Sequence, residues 1–173
     1  MKKIFISLFI FAMMLLSGSN APSRGPRQSF GFNAASIKGF PTGEAFLTGG
    51  GAYDPASGFL KTGGGFRCLA DINQGPLAGC KAGEGIRWDA SELLASTAFK
   101  CTGDAGEVSK TAVTDGNTVV MQADFYRQGD GTEESFTAKM FVSAVDEDPD
   151  SPGIQNVWIQ GVGCGNAIAN FNK

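Results

Sequence analysis

Two glycine triplets set in near-identical frames constrain this chain more than any other feature. Phe46-Leu-Thr-Gly-Gly-Gly51-Ala-Tyr53 is echoed by Phe59-Leu-Lys-Thr-Gly-Gly-Gly65-Phe66, with Asp54-Pro-Ala-Ser-Gly58 between them. Pro55 presets a turn dihedral and Gly58 accepts a positive φ, so the two copies read as arms of one hairpin. Two copies this close together are too few for a repeat architecture. Glycine inside a strand weakens it and marks a bulge, a sharp bend or the close approach of another backbone. A strongly coiled hairpin at a barrel corner uses it in that way. A phosphate cradle instead needs a helix after the glycines, with a lysine and a hydroxyl in register. Here Gly63-Gly-Gly-Phe-Arg-Cys68 runs on as a strand.

The rest of the chain alternates short apolar segments with turn signals, the pattern of a sandwich or barrel. In Thr118–Tyr126, Val119, Met121, Ala123 and Phe125 share one face, and Gln122 and Asp124 the other. In Ser135–Val145, Phe136, Ala138, Met140, Val142 and Ala144 oppose Thr137, Lys139 and Ser143. Arg127–Glu134 between them is a hairpin loop. Further strands are expected over 30–37, 84–88, 98–102, 107–114, 155–163 and 166–171. One short helix is expected from Asp89 to about Thr97, because Asp89, Glu92 and the following Leu93 and Leu94 form a capping-box pattern. The fold class is therefore all-β: an antiparallel β-barrel or barrel-like sandwich of 8–10 strands with one short helix.

Residues 1–21 are set apart as a signal peptide. Lys2 and Lys3 precede an apolar run from Ile4 to Leu16, and Ser17–Ala21 is small and polar. The run is short for a membrane span, which needs about 20 apolar residues, so no stable span is expected after cleavage; an uncleaved anchor is the alternative. Residues 22–29 read as a flexible leader and 30–173 as one disulfide-braced β domain. The signal segment 1–21 holds two of the 14 basic residues and none of the 17 acidic ones, so residues 22–173 carry five more acidic than basic groups. An acidic chain with no basic cluster is a poor partner for nucleic acid or an anionic membrane.

An even count of four cysteines in an exported chain suggests two disulfides. Three connectivities are open; Cys68–Cys80 and Cys101–Cys164 are favoured, one closing a short loop and the other tying a middle strand to the last. A four-thiolate zinc site is the rival, weakened by the lack of a CxxC pair. The chain has no histidine, which removes Ser-His-Asp and Cys-His catalysis and histidine metal sites. No cofactor is expected, and secretion or a periplasmic location follows from the leader and the cysteines.

The run from Gly49 to Gly165 resembles a family of small uncharacterised exported bacterial proteins. The matching pieces are Gly63-Gly-Gly-Phe-Arg-Cys68, Gly79-Cys80, Gly83-Glu-Gly-Ile-Arg-Trp88, Phe99-Lys-Cys101, Asp124-Phe-Tyr-Arg127 with Gly129-Asp-Gly131, Ser135-Phe136, and Asn156-Val-Trp-Ile-Gln-Gly-Val-Gly-Cys164-Gly165. The resemblance implies export and a single domain, and no particular reaction. A weaker similarity, carried by glycine-rich hairpins and strand number, is to barrels of calycin or dirigent type.

Three polar constellations compete for a role. Asp146, Asp148 and Asp150 alternate as at the opening of a calcium loop, but Pro149 interrupts them, Ser151 replaces the glycine and the final glutamate is missing; a solvated loop is the simpler reading. Arg127, Asp130, Glu133 and Glu134 offer carboxylates for glycoside hydrolysis, or an ordinary charged hairpin tip. Arg67, Arg87 and Asp124 lie in predicted strands. If they face a cavity lined by Tyr53, Tyr126, Trp88, Trp158 and Phe66 they would orient a polar ligand; otherwise the aromatics are core and the charges structural ion pairs. The leading expectation is a non-enzymatic module that binds an unknown small molecule or protein partner. The alternatives are a carboxylate/arginine-dependent hydrolase or cyclase-like isomerase, and a structural envelope or surface protein.

Overall fold

The computed structural model describes residues 27–40, 43–127 and 136–172. Ten strands follow in order: β1 Gln28–Gly39, β2 Glu44–Asp54, β3 Phe59–Ala70, β4 Arg87–Leu94, β5 Ser96–Phe99, β6 Lys110–Val113, β7 Thr118–Tyr126, β8 Phe136–Ser143, β9 Val157–Ile159 and β10 Gly163–Asn172. Eight of them close an antiparallel barrel in the order β1-β10-β9-β8-β7-β4-β3-β2. Neighbours in the wall are consecutive in sequence except where β4 meets β7, and where β10 returns to β1 and closes it. β5 and β6 leave the wall and form a two-stranded flap on its outside. The signal segment 1–21 and most of the leader 22–29 lie outside the described residues; β1 begins at Gln28, two residues before the expected domain start.

The glycine triplets meet face to face. In the β2–β3 hairpin Gly49 pairs with Gly64 and Gly50 with Gly63. The turn closes with Gly58 at φ 70° and its amide donating to the Asp54 carbonyl at 2.9 Å. Asp54 braces the turn: its carboxylate accepts from the Ala56 amide at 2.9 Å and the Ser57 hydroxyl at 2.6 Å. The Ser57 contact, the largest cause, holds this carboxyl below its usual value.

Gly63, Gly64 and Gly65 also make the whole β3–β4 ladder, against Asp89, Trp88 and Arg87. An inward belt runs Phe32–Gly49–Gly64–Trp88–Phe125–Phe136 through direct partners. The Trp88 indole occupies the space that glycine vacates: a Cβ built at Gly49 would lie 2.7 Å from the ring, and one at Gly64 1.9 Å from the Thr48 carbonyl oxygen. The indole N–H donates to that same carbonyl at 3.0 Å. Here the triplets make room for a large buried ring and for close strand approach.

The expected helix at Asp89–Thr97 is not formed; residues 87–94 are β4 and 96–99 are β5. A register shift between Ala90 and Glu92 inserts Ser91 as a bulge. Trp88 and Ala90 face inward before it and Leu93 after it, while Leu94 packs outside. A bulged strand places apolar groups at a spacing that also suits one helical turn, and pairing with β7 decides between them. The alternation in β7 and β8 is as expected, with Val119, Met121, Ala123, Phe125, Ala138, Met140 and Val142 in the core. Ala144 falls past the end of β8 and is exposed.

Both disulfides form as favoured, Cys68–Cys80 and Cys101–Cys164, so the cysteines do not make a four-thiolate zinc site. Two disulfides are compatible with an oxidising extracellular or periplasmic location. Among the described residues no helix is long and apolar enough to cross a membrane.

Candidate functional site

The eight residues proposed for a ligand cavity separate to opposite sides of the wall. Tyr53 and Trp88 point inward and are fully buried, as is Phe66. The Tyr53 hydroxyl donates to the Asp115 carbonyl at 2.8 Å. Burial, helped by the nearby Asp115 charge, pushes its pKa up to about 12. Arg67, Arg87, Asp124 and Tyr126 point outward, because Phe66, Cys68, Trp88, Ala123 and Phe125 take the inward positions of the same strands. Arg87 and Tyr126 do come together, with Asp124 across the ladder from Asp89: the guanidinium stacks 3.9 Å from the Tyr126 ring centroid and pairs with Asp89. Asp124 accepts from the Thr137 hydroxyl at 3.0 Å. They form a polar strip on a convex wall. Arg67 lies apart, in a groove with Phe46, Leu69 and Ile86.

The acidic segment is organised around a cation that the chain itself supplies. Lys110 of β6 places its ammonium against Asp148 and, at 2.9 Å, Asp150. Asp148 is 2% exposed and also accepts from the Ser151 hydroxyl at 2.8 Å. Asp146 turns away and accepts from the amides of Asp148 and Gln155 at 3.1 and 3.0 Å. Glu107 comes near Asp148 and Cys101, but Cys101 is held in its disulfide. The Glu107 carboxylate accepts from the amides of Cys101 and Thr102 at 2.6 and 2.9 Å. These acids brace a loop. Of the hairpin group, Asp130, Glu133 and Glu134 lie outside the described residues. Arg127 reaches the Gly79 carbonyl at 3.1 Å and Glu84 at 3.5 Å.

Trp158, the last of the eight, leads to a different place. It faces out of the barrel, 5% exposed, in a second apolar cluster with Phe99, Cys101, Ala112, Val120, Phe141 and Cys164. This cluster glues the β5–β6 flap to the wall. The Phe99 and Phe141 rings meet edge to face at 4.8 Å, and Phe141 and Trp158 stack at 6.0 Å. The Cys101–Cys164 bond crosses from the flap's connection to β10.

Beside the cluster the flap leaves a cleft of about 380 Å³. Phe99 and Trp158 line it, with Phe40 and Pro76 to one side and Lys100, Ser109, Lys139 and Gln160 around it. Gly75 and Gly161 complete it by touching backbone to backbone: a Cβ at Gly75 would sit 2.5 Å from the Gly161 Cα. The Trp158 N–H donates to the Lys100 carbonyl at 3.0 Å, which leaves the indole apolar on its remaining sides. The Lys139 amide donates to the Gln160 side-chain oxygen at 3.3 Å, and the Gln160 amide returns to the Lys139 carbonyl at 2.9 Å. The volume falls in the usual range for small-molecule sites.

Sequence reasoning named Trp158 but missed Phe40, Lys100, Lys139 and Gln160. A signal was present. Val119-Val-Met121, Met140-Phe-Val142 and Val157-Trp-Ile159 are apolar on both faces. A half-solvated strand alternates, so such triplets announce a second covering layer. No protein-family model, curated protein or solved structure matches the chain.

Proposed function

We propose that the protein is exported through its signal segment, residues 1–21, and acts outside the cytoplasm as a non-enzymatic module that holds a small molecule in the cleft between the β5–β6 flap and the barrel wall. The observation that carries this reading is the cleft itself, concave, aromatic-floored and ringed by a few polar groups. The barrel's inward positions are given over to packed side chains such as Trp88, Phe66, Phe125 and Met140. That packing favours the outer cleft over the interior as the ligand's place. The three-part leader and the two disulfides support export.

Native mass spectrometry of the mature protein, purified from its own host, tests the reading. A bound mass is expected in the wild type and is lost in Ala98→Trp, which fills the cleft from an exposed position on β5. The same mass retained by Ala98→Trp, or no bound mass in the wild type, overturns it.

A further inference from the structure

We infer that the ligand of the flap cleft is an organic anion, an aromatic ring carrying a carboxylate; the inference rests on reading the cleft as the binding site. The chain has 17 acidic and 14 basic residues, yet the cleft lining contains two lysines and no carboxylate. Where lysines and arginines sit beside acids elsewhere, they are paired: Lys81 with Asp71, Arg87 with Asp89, Lys110 with Asp148. Among the described residues neither Lys100 nor Lys139 has a carboxylate within 4.0 Å. Two lysines in the lining of one concave site favour an anion there even in an acidic protein, and low-dielectric walls strengthen such an attraction.

The floor adds the second half of the specificity. Phe40, Phe99 and Trp158 line the cleft, Phe40 half-buried and the other two nearly buried, and the indole N–H is already committed, so the ring surface that reaches the cleft is apolar and suits a flat apolar body. The Gln160 side-chain oxygen is engaged by the Lys139 amide, which leaves its NH₂ to donate beside the lysines. A carboxylate accepts from both kinds of donor. A neutral ring satisfies the floor alone, and a bare carboxylate the rim alone.

Three probes separate these contributions: 2-naphthoate, 2-naphthamide and acetate, titrated into ¹⁵N-labelled mature protein while the Trp158 indole and Gln160 side-chain signals are followed. The expected result is binding of naphthoate roughly tenfold tighter than naphthamide, with acetate weaker than either. Naphthoate affinity should fall with added salt, and Lys139→Gln or Lys100→Gln should erase most of its advantage while naphthamide is unmoved. Equal affinity for naphthoate and naphthamide overturns the anion inference and leaves the cleft reading standing. No movement of the Trp158 and Gln160 signals with any probe overturns both.

Discussion

The molecule has two apolar cores of different kinds, each with its own disulfide. The inner one fills the barrel and includes Cys68 and Cys80; the outer one lies between flap and wall and includes Cys101 and Cys164. The inner core is continuous, ringed by strand ladders, and built around Trp88 set over glycine. The outer core is a small cluster on a convex surface. It is fastened at its margin by a disulfide that spans 63 residues and by the ion pair from Lys110 to Asp148. The contrast teaches where function can reside. A close-packed interior tolerates little change of volume, whereas a two-stranded flap held by a few anchors leaves an edge, and the cleft lies along that edge.

The comparison can be broken at its strongest point first. Trp88→Ala should cost about 3–5 kcal/mol, because it removes the largest fully buried ring and leaves the glycine belt without cover. Thermal unfolding should shift down by roughly 10 °C; a shift within a degree or two would mean that the belt does not organise the barrel. Replacing Cys101 and Cys164 with serine comes next, at about 4 kcal/mol in the chain-entropy account, against about 3 for the Cys68–Cys80 pair. Hydrogen exchange sharpens this step. Loss of the outer bond should speed exchange in β5 and β6 while β7 and β8 stay protected, and uniform acceleration would deny the flap its separate status.

The third test concerns the outer core's polar anchor. Lys110→Met leaves Asp148 buried beside an apolar chain and should cost about 2 kcal/mol in denaturant unfolding. Adding Asp148→Asn should recover most of that loss, whereas additive losses would show that the two residues act apart.

The smallest effect is at the barrel end where Tyr53 sits. Its folded pKa is raised to about 12 from the ordinary tyrosine value of 10.0. The unfolded chain therefore releases this proton first, and the stabilisation present below pH 10 is lost as pH rises toward 12. Tyr53→Phe should flatten that alkaline decline, measured by urea unfolding at about pH 8 and about pH 11. An unchanged slope would place the alkaline sensitivity elsewhere.

Much of the barrel was legible in the residues. Alternation in 118–126 and 136–143 placed the inward faces of β7 and β8 correctly, and the echoed triplets with Pro55 and Gly58 marked the β2–β3 hairpin. The helix reading of 89–97 failed because Ser91 bulges. One extra residue shifts a two-residue period into a spacing that mimics a helical turn, and a single strand carries no mark of its partner. The cleft was legible only through Trp158 and the two-sided apolar triplets of β7, β8 and β9. Lys100, Lys139 and Gln160 are polar residues at ordinary outward positions, and nothing local distinguishes a lysine beside a cleft from one in open water.

The sequence by itself determined the strand periodicity, the even cysteine count, the hairpin of glycine triplets and the loss of every histidine-based chemistry, because each of these depends on local geometry or on composition. Only the tertiary structure decided that the ring closes between β1 and β10, that Trp88 lies over Gly49 and pairs with Gly64, and that Lys110 supplies the cation for Asp148 and Asp150. It also set β5 and β6 outside the wall, where they create the cleft. Those features join residues tens of positions apart, and such contacts are fixed by how the whole core packs, which no short window of the chain contains.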